Sequence, residues 1–213
     1  MQDVLEQLKQ GIRRFQTEVY PHQADLYRRA VSEPQQPHTL LVTCADSRID
    51  PELITQSKPG ELFVLRNIGN LIPPYGEMMG GVSAVVEYAV GLLKVKHVVV
   101  CGHADCGAMK GLLTPASTDS MPAVKNWLKN ATAALNITEA LEEKQKDNHG
   151  FLKSLTEQNV LLQIQHLRTH PSVAAAIAWK ELTISGWVYE IGTGEVRIWT
   201  EETQKFLAVS KTA

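Results

Sequence analysis

The sequence predicts an α/β fold: a mainly parallel β-sheet flanked by helices, with an N-terminal helical arm and a C-terminal β-hairpin. Three observations carry this. Short apolar, β-rich runs recur at Thr39–Cys44, Leu62–Leu65 and His97–Cys101, with the length and composition of buried strands. Segments with a helical period stand between them, and such alternation marks parallel strands joined by crossovers. Near the C-terminus, two more β-rich runs flank Gly192-Thr-Gly-Glu195, a hairpin signal.

Each element has its own reason. Residues 1–31 read as helix, because Val4, Leu5, Leu8, Ile12 and Phe15 fall near a 3.6-residue period with charges between them. Pro34 and Pro37 punctuate the chain before the first strand, and Pro59-Gly60 precedes the second. Residues 71–81 hold Pro73, Pro74, Gly76, Gly80 and Gly81, so they read as loop. Val82, Val85, Val86, Ala89 and Leu93 mark a helix with one buried face, and Gly102 ends the third strand. Residues 121–135 and 151–169 read as helices, Pro171 stops the second, and 172–182 form one more. The hairpin pairs Trp187–Ile191 with Val196–Trp199, while 114–122 and 142–150 are polar enough for surface loops. No linker divides the chain, so 1–213 are expected to form a single domain, with an arm over 1–31 and an α/β core over 35–205.

Composition narrows the function. The 213 residues carry 21 Lys plus Arg against 23 Asp plus Glu, a net charge of −2, and 44% are hydrophobic. Disorder needs the opposite balance, and nucleic-acid binding needs a basic excess that is missing. The longest apolar stretch, Gly80–Leu93, is broken by Glu87, well short of the ~20 residues of a membrane span. Residues 1–16 are charged throughout, so no secretory leader is expected. Three cysteines make a disulfide framework a poor fit and a reducing cytoplasm the expected compartment.

Those cysteines locate the chemistry. Cys44 closes the first strand, and His103-Ala-Asp-Cys106 follows the third. Ligands in open α/β sheets gather at the carboxyl ends of strands, so Cys44, His103 and Cys106 can converge. Two thiolates and one imidazole suit zinc, and three protein ligands leave the fourth position for chemistry. Spacing alone leaves a plainer reading standing, in which Cys44 is a small core residue and His103 caps a turn. Cys101, inside its apolar run, is read as core. Asp46 and Arg48 stand two apart just beyond Cys44. A bidentate Arg keeps a carboxylate ionised and fixes its orientation, where it can accept a hydrogen bond from a water on the metal.

The segments Cys44-Ala-Asp-Ser-Arg48, Arg66-Asn-Ile-Gly-Asn70 and Gly102-His-Ala-Asp-Cys-Gly107 resemble the signature blocks of the β-class carbonic anhydrases. Pro59-Gly-Glu-Leu-Phe63, Val86-Glu-Tyr-Ala89 and Gly186-Trp-Val-Tyr189 add to the resemblance, which runs from about residue 5 to 200. It implies a zinc enzyme that interconverts carbon dioxide and bicarbonate, with one zinc per subunit on Cys44, His103 and Cys106. It implies Asp46 and Arg48 as the catalytic dyad that orients the attacking hydroxide. Gln35, Phe63, Ile68, Tyr88 and Gly107 fall at substrate-binding positions of the plant-like branch. The resemblance also implies a homodimer, with pockets at the subunit interface and larger oligomers built from it, and no nucleic-acid or membrane partner.

One branch of that family carries an inhibitory bicarbonate site, with Trp three residues before the first zinc cysteine and Gly just before it. Leu41 and Thr43 stand there, so an open site is expected, with Asp46 on Arg48 rather than on zinc. Glu77-Met-Met79 and Ser185 are minor departures. Two rival functions share these residues: hydrolysis of carbonyl sulfide or carbon disulfide, and non-catalytic zinc or bicarbonate binding. A dinucleotide-binding module is disfavoured, since no GxGxxG follows the first strand.

Overall fold

The computed structural model describes residues 3–78, 80–142 and 148–209. The arm starts with α1 (Val4–Arg14), capped by Asp3, whose carboxylate accepts the Leu5 amide. A π-helical turn at Phe15–Val19 then leads into α2 (Tyr20–Ser32). Pro21 explains the widened turn, because it has no N–H for the regular helical bond. The single helix expected over 1–31 is thus one helical rod with a defect. Its apolar side, however, is not buried on its own core: exposure runs from 41% at Phe15 to 68% at Val4.

Beyond the arm come β1 (Thr39–Cys44), α3 (Pro51–Thr55), β2 (Leu62–Asn67), α4 (Gly81–Glu87) and β3 (His97–His103). Next are α5 (Gly107–Leu113), α6 (Pro122–Trp127), α7 (Thr132–Glu142), α8 (Asn148–Arg168) and α9 (Pro171–Ala178). The chain finishes with β4 (Thr183–Glu190), β5 (Glu195–Thr200) and β6 (Lys205–Ala208). The sheet order is β2-β1-β3-β4-β5-β6. The first three neighbouring pairs run parallel and the last two antiparallel. The expected parallel sheet and C-terminal hairpin are both present.

Several bounds differ from the sequence reading, each for a physical reason. β3 runs through Gly102 to His103, because Gly102 pairs with Val188 and leaves room for α8 instead of ending the strand. β4 begins at Thr183, so the helix expected over 172–182 stops at Ala178, and Pro171 starts it. The helix expected over 82–93 is α4 plus a π-helical turn at Tyr88–Leu92. Residues 115–118 form a 3₁₀ turn and 128–131 another, within segments expected as loop and as helix. Of the loop expected over 142–150, residues 143–147 lie outside the described residues, as does Met79; Glu142 ends α7 and 148–150 belong to α8.

Helices pack on both faces of the sheet. One core joins Leu40, Val42, Val98 and Val100 to Val86, Val160 and Leu167. A second gathers Cys44, Cys106, Leu71, Met109 and Leu155 around the strand ends that bear the cysteines. α8 lies close on the sheet because Gly102 and Gly186 have no side chains. A Cβ on Gly102 would stand 2.8 Å from Val160 Cγ2, and one on Gly186 2.8 Å from Val160 Cγ1.

Candidate metal centre

Adjacent parallel strands deliver the first two candidate ligands. Thr43 pairs with Cys101, so Cys44 and His103 leave β1 and β3 at the same end of the sheet. A turn with Asp105 in the left-handed region (φ 61°) then brings Cys106 back as the residue that caps α5. The sulfurs of Cys44 and Cys106 and a ring nitrogen of His103 lie within 4.8 Å of one another, and all three residues are buried.

The imidazole is oriented for ligation. His103 Nδ1 is 2.8 Å from the Ala104 carbonyl, which only accepts, so Nδ1 carries the proton. That leaves Nε2 with a lone pair, buried and without a hydrogen-bond partner. A lone pair stranded beside two sulfurs is costly unless a cation takes it. Tetrahedral zinc with sulfur at about 2.3 Å and nitrogen at about 2.0 Å suits this donor set. The hydrogen bond from the Cys106 thiol is the largest influence pulling Cys44 down to about 4; His103 and the amides of Gly69 and Asp46 assist, and burial opposes. Donating that hydrogen bond to Cys44, together with burial and the Cys44 charge, pushes the Cys106 thiol up. A dication binding both sulfurs takes them as thiolates, so its binding would displace any thiol proton there. Cys101 behaves as the sequence reading expects: burial raises its thiol to about 12, and it stays out of the cluster.

Asp46 sits beside this group with its carboxylate held by Arg48. Its Oδ1 accepts from the Arg48 amide at 3.0 Å and Nε at 2.9 Å, and its Oδ2 from Nη2 at 2.7 Å. These bonds hold the carboxyl well below the usual carboxylate range. Oδ2 stands 3.9 Å from His103 Nε2, and Asp46 is not part of the Cys-His-Cys group. Arg48 also donates to Asp105 Oδ2 at 3.0 Å, and Asp105 in turn takes Lys110. Leu41 and Thr43 are buried, and Thr43 Oγ1 donates to the Cys101 carbonyl at 3.0 Å.

Several residues that hold the site were quoted only as parts of a motif or passed over. Arg66 donates to the carbonyls of Cys44 (3.1 Å) and Asp46 (2.7 Å), pinning the segment between them. Asn67 brackets Leu71 with both side-chain atoms. The Gly69 amide donates to Cys44 Sγ at 3.4 Å. A basic residue followed by amide side chains and a glycine, next to a strand end, is the signal that was there to read.

The other expected site residues are not brought together within one chain. Ile68 lines an open apolar cleft of about 340 Å³ with Ala45, Val124 and Trp127, next to the cysteine segment. Gly107 follows Cys106 as the first residue of α5, with open space where a side chain would stand. Phe63 and Tyr88 stack on each other with centroids 5.9 Å apart, and Tyr88 lines a separate groove with Glu87 and Leu92. Phe63 pairs with Leu40, four residues up the strand from Cys44, or about 13 Å. Gln35 lies on the surface.

The carbonic anhydrase family model matches residues 39–196, which contain Cys44, His103 and Cys106. The chain belongs to the β-carbonic anhydrase family. It is 42% identical over 211 residues to a carbonic anhydrase of Pseudomonas aeruginosa, covering 99% of this chain and 93% of the relative. To one of Synechococcus elongatus it is 45% identical over 199 residues, covering 90% of this chain and 70% of the relative. Among solved structures, the β-carbonic anhydrase CcaA superposes with a TM-score of 0.92 at 36% identity, covering 96% of this chain and 99% of the other. Tetrameric β-carbonic anhydrases of Sordaria macrospora give 0.70 at 29% identity, with 91% and 92% covered. The family's members are zinc enzymes, and Cys44, His103 and Cys106 form a group able to hold such an ion. No helix among the described residues is long and apolar enough to cross a membrane.

Proposed function

We propose that this chain catalyses the reversible hydration of carbon dioxide to bicarbonate and a proton, with one zinc per subunit on Cys44, His103 and Cys106. The observation that carries the reading is the buried His103 Nε2, without a partner, between two buried sulfurs and 3.9 Å from a carboxylate held by arginine. Zinc held there supplies, at neutral pH, a nucleophile derived from water whose pKa it lowers to roughly 7.

The chain's own residues do the rest. Asp46, locked on Arg48, accepts the hydrogen bond of the attacking water and turns a lone pair toward the carbon of the substrate. Arg48 keeps that carboxylate ionised and off the metal. The two cysteines offset much of the zinc's charge, so turnover should rise toward mildly alkaline pH. Ile68 and the apolar cleft beside it suit a linear, uncharged substrate. Gly107 leaves the approach to Cys106 free of a side chain.

Gln35, Phe63 and Tyr88 complete the pocket from a second copy of the chain. Two observations support this: the distance of Phe63 along β1–β2 from Cys44, and the uncovered apolar side of α1. The working unit is therefore a homodimer or a multiple of one, with the catalytic domain built on 35–205 and acting in the cytoplasm.

The test is stopped-flow hydration of carbon dioxide, with zinc measured in the same sample and sedimentation run alongside. Fast, zinc-dependent hydration by a dimer or larger species is expected. Full zinc with no hydration between pH 7 and 9 would overturn the reading, and fast hydrolysis of carbonyl sulfide in its place would redirect it. Monomer alone at micromolar concentration would overturn the shared pocket.

A further inference from the structure

The segment between β2 and the loop that follows it is gripped by hydrogen bonds from outside. The peptide joining Ile68 to Gly69 is held at both ends. Trp127 Nε1, at the end of α6, donates to the Ile68 carbonyl at 2.8 Å. The N–H at the other end of that same peptide is the one donated to Cys44 Sγ. The next carbonyl, that of Gly69, accepts from Asn159 Nδ2 of α8 at 3.1 Å.

Asn159 is itself fixed from behind. Gln163, one turn further along α8, donates through Nε2 to Asn159 Oδ1 at 2.9 Å, and its Oε1 accepts the Ile72 amide at 2.8 Å. Both side chains are buried almost completely. Two amides in an otherwise apolar helix–sheet layer are costly unless every partner is met; here they serve this loop, and Gln163 Nε2 also donates to the Asn130 carbonyl at 3.2 Å. Only glycine fits where the grips meet. Gly69 has φ 79°, and a Cβ on it would stand 2.9 Å from that of Ala108.

We propose that Trp127 and Asn159 are positioning residues that grip the carbonyls on either side of Gly69, aim its N–H at the Cys44 sulfur, and so set how strongly that sulfur donates to the metal. A hydrogen bond to a thiolate lowers the energy of its lone pairs and tempers its donation. Accepting from Trp127 at the carbonyl end also polarises the peptide and strengthens the N–H as a donor. The inference rests on Cys44 being a metal ligand.

The experiment uses protein loaded with cobalt(II), whose sulfur-to-metal charge-transfer bands report on the thiolates directly. Trp127→Phe keeps a ring and removes the donor; Asn159→Leu keeps the volume and removes the other. In both, the band is expected to move to longer wavelength, because a sulfur that has lost its hydrogen bond donates more strongly. Phe206→Leu, a packing change on the distant edge strand, should lower the melting temperature and leave the band in place. Folded variants with the parent's band would overturn the inference. If Asn159→Leu fails to fold, Trp127→Phe decides alone. A parent protein that binds cobalt without any sulfur band would instead remove Cys44 and Cys106 as ligands, and this inference with them.

Discussion

Gly102→Ala isolates what holds α8 against the strand that carries His103. The new Cβ would lie 2.8 Å from Val160 Cγ2 and 3.2 Å from Thr156 Cγ2. Ordinary carbon contacts are about 3.5–4.0 Å, so Val160 must retreat by roughly 0.7–1.2 Å. Overpacking of this size costs about 1–3 kcal/mol. For a chain of this length, that lowers the melting temperature by roughly 2–12 °C. The backbone adds nothing to this, because Gly102 lies in a regular strand with ordinary dihedrals. Val160→Ala alone should also destabilise, by leaving a cavity. Together the two should cost less than their sum by at least about 1 kcal/mol, since the alanine methyl occupies the space that the valine methyl gave up. Urea unfolding of all four proteins, at one fixed protein concentration, measures the coupling. Additivity within about 0.5 kcal/mol would refute the claim that Gly102 is there to admit Val160.

Three more outcomes follow from the geometry. Asp46→Asn should lose about 10²-fold or more in kcat with zinc content unchanged; wild-type turnover in that variant would remove Asp46 from the mechanism. Cys106→Ser should purify with little zinc, as metal analysis will show, and full occupancy would mean that the ligand set is wrong. Burial lowers the pKa of His166 and His170, whose ring N–H groups donate to the carbonyls of Ile72 and Pro73. Below pH 6.5 the unfolded chain therefore takes up protons that the folded one refuses, and stability falls as pH falls. Melting temperatures between pH 6.5 and 5 should drop less steeply in His170→Gln, and equal slopes would count against this. Acid release of metal is common to both proteins and cancels in the comparison.

Strands β1, β2 and β3 were legible because each is a short apolar run between turn residues, and the Cys44, His103 and Cys106 group because its members stand at the ends of two of them. The pairing of Asp46 with Arg48 was legible from their spacing. β6 was not: four residues, Lys205-Phe-Leu-Ala208, pair only on an existing edge, and nothing local distinguishes them from loop. Nor was α5, a seven-residue helix with a glycine at each of two positions, where propensity argues against what tertiary packing enforces. Gly102 was read as a stop because glycine usually punctuates. Its actual reason, a side chain arriving from 58 residues downstream, is invisible to any window along the chain. The same holds for Trp127 and Asn159, whose partners are backbone atoms of a distant loop, a kind of contact that leaves no complementary residue type to look for.

The turn from His103 to Cys106 has a consequence for the order in which the molecule assembles. His103 and Cys106 are three residues apart and meet through the backbone of one turn, so, as the proposed ligands, they would be offered by a nascent chain as a weak two-point chelator. Cys44 joins them only when β1 has docked beside β3. A metal ion captured early by the local pair would thus be held tightly only by chains whose central strands have paired correctly. Binding then acts as a latch across the middle of the sheet, adding to the folded state a stabilisation that misregistered chains do not share.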